Sequence, residues 1–214
     1  MGRKLAAEFI GTALLLLAVA GSGVMGESLA SGNVAVALLA NSLATGAALY
    51  VIVSVLGPVS GAHLNPVVTL MSWADRKDGV GETVGYIAAQ VSGAIAGIWA
   101  VHAMFGQALL QVSTKPRDGS HLLVSEFIAT LILLALIRVA SARGDSKLPA
   151  YLGLAVTAGY WATSSTFFVN PAATLARSLT NTFVGIRPAD VIPFVLAQLA
   201  ALAVVLVVAR LARR

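Results

Sequence analysis

The sequence predicts an all-α integral membrane protein of six transmembrane helices plus two re-entrant half-helices, arranged as an inverted 3+3 repeat. Three observations predict it. The composition is 58% hydrophobic and only 11% charged, with a mean hydropathy of +0.88. Six apolar runs have the length, about 20 residues, that carries a helix across the hydrocarbon of a bilayer. One hexapeptide signal also occurs twice: Asn65-Pro66-Val67-Val68-Thr69-Leu70 and Asn170-Pro171-Ala172-Ala173-Thr174-Leu175.

The first run, Leu5 to Val24, follows Arg3 and Lys4 and ends near Ala18-Val19-Ala20, a pattern that mimics a signal peptide. Glu8 and the length of the run argue for a first membrane span instead. Val34 to Leu56, Val84 to Phe105, Leu122 to Ala140, Ala150 to Phe168 and Ala189 to Ala209 supply the other five. The stretches holding the Asn-Pro pairs, Gly57 to Trp73 and Val169 to Leu179, are too short or too interrupted to span. Asn favours the N-cap and Pro the first helical position, so each pair opens a helix. A helix N-terminus at membrane depth is tolerated only when buried in protein or facing a wet cavity, so both stretches read as re-entrant half-helices.

Basic residues orient the chain, because cytoplasmic loops carry the excess. With the N-terminus inside, Arg3, Lys4, Arg76, Lys77, Arg138, Arg143, Lys147, Arg210, Arg213 and Arg214 are cytoplasmic, ten of the fourteen. Lys115, Arg117, Arg177 and Arg187 are external. The expected location is the plasma (inner) membrane, multi-pass, with both termini cytoplasmic. The net charge of +5 therefore expresses topology, and no nucleic-acid partner is expected. The absence of cysteine excludes disulfides, thiol catalysis and thiolate metal sites.

The duplication extends further. Glu8-Phe9-Ile10-Gly11-Thr12 matches Glu126-Phe127-Ile128-Ala129-Thr130, and Ala89-Gln90 matches Ala197-Gln198, at similar but unequal offsets. Three spans separate equivalent points, so the second half is inverted relative to the first. The expectation is a single channel domain, 1–214, with repeats at about 1–113 and 120–214. Inverted repeats with broken helices at the midplane are a transport architecture.

On these motifs, together with Ser60-Gly61-Ala62-His63 leading into the first Asn-Pro pair, the chain resembles the aquaporin and glycerol-facilitator family of major intrinsic proteins over essentially its whole length. The resemblance implies an aquaporin-like fold, a homotetramer in membrane lipid with one pore per subunit, passive conduction and no cofactor. It also implies that the chain is not an enzyme.

Elementary electrostatics explains how such a pore would work. Each half-helix presents about half an elementary positive charge at its N-terminus, so two aimed at one point repel cations there. The pore centre is assigned to Asn65, Asn170, Val67 and Ala172, the two Asn amides donating to a passing oxygen. Gly61 to Leu64 and Thr166 to Val169 are expected to run extended and offer carbonyls. Val67, where the family has Ala, adds bulk where the half-helices abut.

The outer filter is where the sequence departs from the resemblance. Water-selective members carry Arg directly after Asn-Pro-Ala, and here that position is Ala173. By the same alignment the other filter residues are Thr45, Tyr160 and Phe167. Such a ring is wider and keeps no fixed cation, as in a bacterial branch of the family tied in part to arsenic handling. The expected solutes are water, glycerol, urea, and undissociated metalloid acids or methylated arsenicals. A water-selective pore or a non-conducting scaffold of the same fold are the alternatives.

His63 is carried over from the resemblance as a lining residue of the cytoplasmic approach. Asn41 and Thr45, at i and i+4, share a helix face and suggest a polar stripe toward the pore. Arg177 lies one turn beyond Ala173, about 6 Å further out. It either supplies a displaced cation at the outer mouth or reaches headgroups and water, and long basic side chains near helix ends favour the second. Glu8 and Glu126 are expected to brace the re-entrant loops by accepting backbone N–H groups, since an unpaired buried carboxylate is costly. Ser42/Gly46 and Gly93/Gly97 are small-residue pairs suited to close helix packing. A coupled transporter would need a carboxylate in or beside the two motifs, and none is present. His63, His102 and His121 lack the context of a hydrolase nucleophile.

Overall fold

The computed structural model describes residues 1–212. Arg213 and Arg214, two of the basic residues used for orientation, lie outside the described residues. Within them the chain forms α1 (Gly2–Leu29), α2 (Val34–Ser60), α3 (Pro66–Ala74), α4 (Val80–Met104), α5 (Ser120–Ala142), α6 (Leu148–Ala162), α7 (Pro171–Arg177) and α8 (Pro188–Leu211).

Five of these helices, α1, α2, α4, α5 and α8, are long and apolar enough to cross a membrane. The fifth apolar run, Ala150 to Phe168, departs from expectation. Its helix α6 ends at Ala162, so its 15 residues reach only about 22 Å at 1.5 Å per residue. The apolar stretch up to Phe168 continues as irregular chain, because hydropathy reports burial and not helicity. Thr163, the C-cap of α6, adopts extended geometry and ends the helix.

Lys4 of α1 bonds Glu82 at the start of α4, and Tyr86 of α4 donates to the Ser60 carbonyl at the end of α2. Arg138 near the end of α5 pairs with Asp75 beyond α3. These contacts gather one end of the molecule, here termed the terminal face because α1 begins and α8 ends on it. The opposite face collects the segment between α4 and α5, the chain after α6, and the start of α8, where the Arg117 N–H donates to Asp190.

Helix α1 packs on α2 and α4, α5 packs on α8 and α6, and α2 meets α6 to join the halves. Small residues make these approaches possible. A Cβ at Gly93 or Gly97 would collide with the α1 carbonyls of Phe9 and Ala13, and one at Gly46 with Thr157 and the Gly153 carbonyl. The half-helices cross over: α3 also touches α8, α7 also touches α4, and the two meet each other.

Polarity is inverted relative to a water-soluble protein. Glu8, Thr12, Asn41, Thr69, Gln90, Glu126, Thr174 and Gln198 are buried, whereas Leu43, Val51, Val55, Val124, Leu154, Leu196 and Val208 are exposed. An apolar exterior with a hydrogen-bonded polar interior suits hydrocarbon as solvent. The chain is a multi-pass membrane protein.

Candidate functional site

Each half-helix begins as its sequence dictates. Asn65 is the N-cap of α3 and its side-chain oxygen accepts from the Val67 N–H, with Pro66 at the first position. Asn170 caps α7 in the same way, accepting from the Ala172 and Ala173 N–H groups, with Pro171 following. The remaining donors cross between the halves. Asn65 Nδ2 donates to the Val169 carbonyl at 2.7 Å and Asn170 Nδ2 to the Leu64 carbonyl at 2.8 Å. Each Nδ2 carries two hydrogens, so one holds the opposite half in place and the other remains for the cavity that both residues line.

The segments before the motifs are coiled and not extended, which corrects the sequence expectation. Gly61, Ala62 and Leu64 have positive φ, as do Thr166, Phe167 and Val169. Left-handed geometry at a non-glycine residue costs on the order of 1–3 kcal/mol and persists only when neighbours fix it. The two glutamates are those neighbours. Glu8 accepts from Ser60 Oγ and the His63 N–H on one oxygen, and from the Leu64 N–H and Gln90 Nε2 on the other. Glu126 accepts from the Val169 N–H and Gln198 Nε2 on a single oxygen. Gln90 and Gln198 also donate to Thr69 and Thr174 on the half-helices.

One cavity of about 430 Å³ runs past these groups. Asp75, Lys77 and Arg138 line it toward the terminal face, His63, Leu64, Asn65, Val169 and Asn170 at the waist, and Phe168, Ala173 and Arg177 toward the opposite face. Thr45, Tyr160 and Phe167 are in its wall, and the Tyr160 hydroxyl donates to Thr45 Oγ1 at 3.3 Å. His63 keeps one ring nitrogen 3.2 Å from Thr69 Oγ1 and stacks edge-on to Tyr86, 5.3 Å between centroids.

Two central assignments shift. Val67 and Ala172 do not line the cavity. Val67 is fully buried in a cluster with Leu134, Leu202 and Val205, and Ala172 in one with Ile98 and Val184. The added bulk of Val67 is thus taken up by packing among α5 and α8 side chains; Val68 and Ala173, one position on, face the cavity instead. Asn41 likewise leaves the expected stripe. Its amide donates to the Val19 carbonyl and Ser22 Oγ, tying α2 to α1, while Thr45 alone of that pair reaches the wall.

Arg177 does not extend to headgroups or water. It is 3% exposed, its Nε donates to the Val184 carbonyl, and its guanidinium lies 3.4 Å from the Phe168 ring centroid. The cavity wall therefore holds a guanidinium one turn beyond Ala173, the less favoured of the two readings the sequence offered for Arg177. Arg117, from the segment before α5, sits 4.9 Å from the same centroid and donates to the Gly185 carbonyl. Burial pushes its guanidinium below the usual arginine range. Phe168, the platform for both, carries no sequence signal beyond its place two residues before Asn170. The carbonyls of Leu64 and Val169 were equally invisible as the acceptors that lock the waist.

Comparison with known proteins places this geometry. A family model described as major intrinsic protein matches residues 1–203. The chain is 46% identical to the aquaglyceroporin AqpS of Rhizobium meliloti (strain 1021) over 197 residues, covering 92% of this chain and 84% of that one. It is 30% identical to the aquaporin NIP2-3 of Zea mays, covering 87% of this chain and 63% of that one. Among solved structures, the aquaglyceroporin from Plasmodium falciparum aligns with a TM-score of 0.74 at 21% identity, over 94% of this chain and 93% of that one.

Proposed function

Because the chain belongs to the major intrinsic protein family, the aquaporins and glycerol facilitators, we infer that it is a passive channel for water and small neutral solutes such as glycerol. One observation carries the reading: the two Asn side chains, locked crosswise to the carbonyls before each other, each leave an N–H for the cavity they share. A solute oxygen meets fixed donors there. The two half-helix N-termini add positive potential at the same point, which repels cations without a titratable relay.

Thr45, Tyr160, Phe167 and Ala173 form the selectivity filter in this reading, with Arg177 as a guanidinium set one turn back. Ala173 leaves room beside the ring, which favours glycerol and urea as well as water, and extends to undissociated metalloid acids and methylated arsenicals. Glu8 and Glu126 act as braces and His63 as lining of the cytoplasmic approach. The terminal face is cytoplasmic in the plasma membrane, the repeats are 1–113 and 120–214, and the assembly is a homotetramer. The family conducts and does not catalyse, so the chain is read as a non-enzyme.

A second reading, a water-selective pore, is favoured by Arg177 in the wall. Stopped-flow light scattering on proteoliposomes separates the two. Glycerol and urea shrinkage followed by re-swelling at rates well above empty liposomes supports the wide filter. Water flux alone supports the narrow one, and no flux above background overturns both.

A further inference from the structure

We infer that the end of the cavity toward the opposite face is a binding site for a small planar monovalent oxyanion, held by Arg177 with Arg117 beside it. The site deepens the reading of the cavity as a pore and rests on it for its effect on flux.

Arg177 and Arg117 carry charge that no carboxylate among the described residues matches. Two guanidinium groups share the Phe168 ring, at 3.4 and 4.9 Å from its centroid. Among the described residues neither has a carboxylate within ion-pair distance. Two of the nearby acids are committed elsewhere: Asp190 gives one oxygen to Arg187 and the other to the backbone N–H of Arg117, and Asp118 pairs with Arg187. Glu126 spends one oxygen on the Val169 N–H and Gln198, and its second, buried oxygen does not come within ion-pair distance of either guanidinium. A buried charge without a partner costs several kcal/mol, and like charges side by side raise that cost.

The hydrogen bonding points the same way. Arg177 uses only Nε in a hydrogen bond to protein, while its guanidinium lines the cavity and is otherwise in contact with the apolar Phe168 face. Both terminal nitrogens are left with donors and no protein acceptor. A guanidinium edge presents parallel N–H groups that match two oxygens of a planar anion. The methyl of Ala173 is the neighbour one turn toward the waist, so the wall leaves space there. The phenolic and hydroxyl groups of Tyr160 and Thr45 bond each other and leave a further hydroxyl hydrogen, that of Thr45, for an anion oxygen. A bound anion occupies the route of a neutral solute, so it acts as a saturable blocker from this face.

Nitrate is the probe, because it is planar, monovalent and has no neutral form near neutral pH that could itself cross the bilayer. Glycerol permeability of proteoliposomes is measured in sodium nitrate on both sides and in sodium gluconate of equal ionic strength and osmolarity, gluconate being too bulky to enter. The expected result is a saturable fall in nitrate only, with Arg177→Gln weakening half-inhibition by about tenfold or more, the scale of one charge-assisted hydrogen-bonded pair, and with Arg117→Gln weakening it less, because Arg117 bonds the Gly185 carbonyl and Thr166 Oγ1 behind the wall and acts on the anion only through its charge. Equal permeability in the two salts, with glycerol flux intact, overturns the site and leaves the channel reading standing. Inhibition unchanged in both variants overturns it too. If the native protein passes no glycerol, the channel reading fails instead, and the site is decided on detergent-solubilised protein: nitrate raising the unfolding temperature relative to gluconate, and not in Arg177→Gln, supports it, and no difference overturns it.

Discussion

Glu8 and Glu126 stand at matching places in the two halves but are bonded unequally. Glu8 accepts four hydrogen bonds, two on each oxygen. Glu126 accepts two on Oε1, and its buried Oε2 meets no donor. Glu8→Gln replaces an acceptor with a donor that confronts a backbone N–H, that of His63 or of Leu64, whichever way the amide is turned. At about 1–3 kcal/mol for a buried group left unsatisfied, the loss is about 1–3 kcal/mol. Glu126→Gln can keep its oxygen toward Val169 and Gln198 and place its NH₂ where nothing donates, so the cost is under about 1 kcal/mol. Thermal unfolding in detergent checks the order; an equal loss in the two variants contradicts the asymmetry.

Helix approach sets a second contrast. Gly46 of α2 faces the Gly153 carbonyl and Thr157 of α6, so Gly46→Ala forces backbone apart and destabilises by about 1–3 kcal/mol. Gly57, in the same helix, has nothing near its missing Cβ. Gly57→Ala therefore raises stability by up to about 1 kcal/mol through helix propensity alone. The same unfolding assay reads both, and a stabilising Gly46→Ala would show that α2 and α6 do not lie this close.

Inhibition chemistry follows directly from composition. The chain has no cysteine, so mercurial reagents have no thiol to bind in or near the pore. Glycerol permeability before and after mercuric chloride stays equal within error, and any block reversed by a thiol reductant contradicts this account.

What the sequence revealed and what it hid divide along the range of the interaction. Asn65, Asn170 and the prolines after them act within one helical turn, and the half-helices begin where the dipeptides stand. Five of the six apolar runs also correspond to helices long enough to span, since burial in hydrocarbon is written in composition, while the run from Ala150 is helical only to Ala162. Positive φ at Ala62, Leu64, Phe167 and Val169 was not legible. No residue type among them favours it; Glu8 and Glu126 fix the Leu64 and Val169 N–H groups from other helices, while Ser60 and Thr163 hold those of Ala62 and Phe167. Arg177 misled for the same reason: its fate depends on Phe168 and the Val184 carbonyl, partners that only the folded chain supplies. Asn41 and Thr45 share a face by spacing, yet α1 takes the amide and the cavity takes the hydroxyl.

Ala173 and Arg177 lie one turn apart on α7 and both line the cavity, with Phe167 and Tyr160 in the same wall. Ala173→Arg puts a second guanidinium into space that a methyl group leaves open, while Arg177 stays bound to the Val184 carbonyl and Phe168. Steric narrowing falls hardest on the larger solute, because glycerol must pass the ring with its carbon chain and water need not. Discrimination by size in a confined site is worth about 1–3 kcal/mol, which is about ten- to two-hundredfold. Glycerol permeability of the variant is therefore reduced by at least about tenfold relative to native while water permeability changes by less than about threefold. Parallel stopped-flow traces for the two solutes on the same proteoliposomes provide the measurement. If both fall together, Ala173 is not the residue that sets the width, and if neither falls, the narrowest point lies elsewhere along the cavity, at Phe167 or at the Asn65/Asn170 waist.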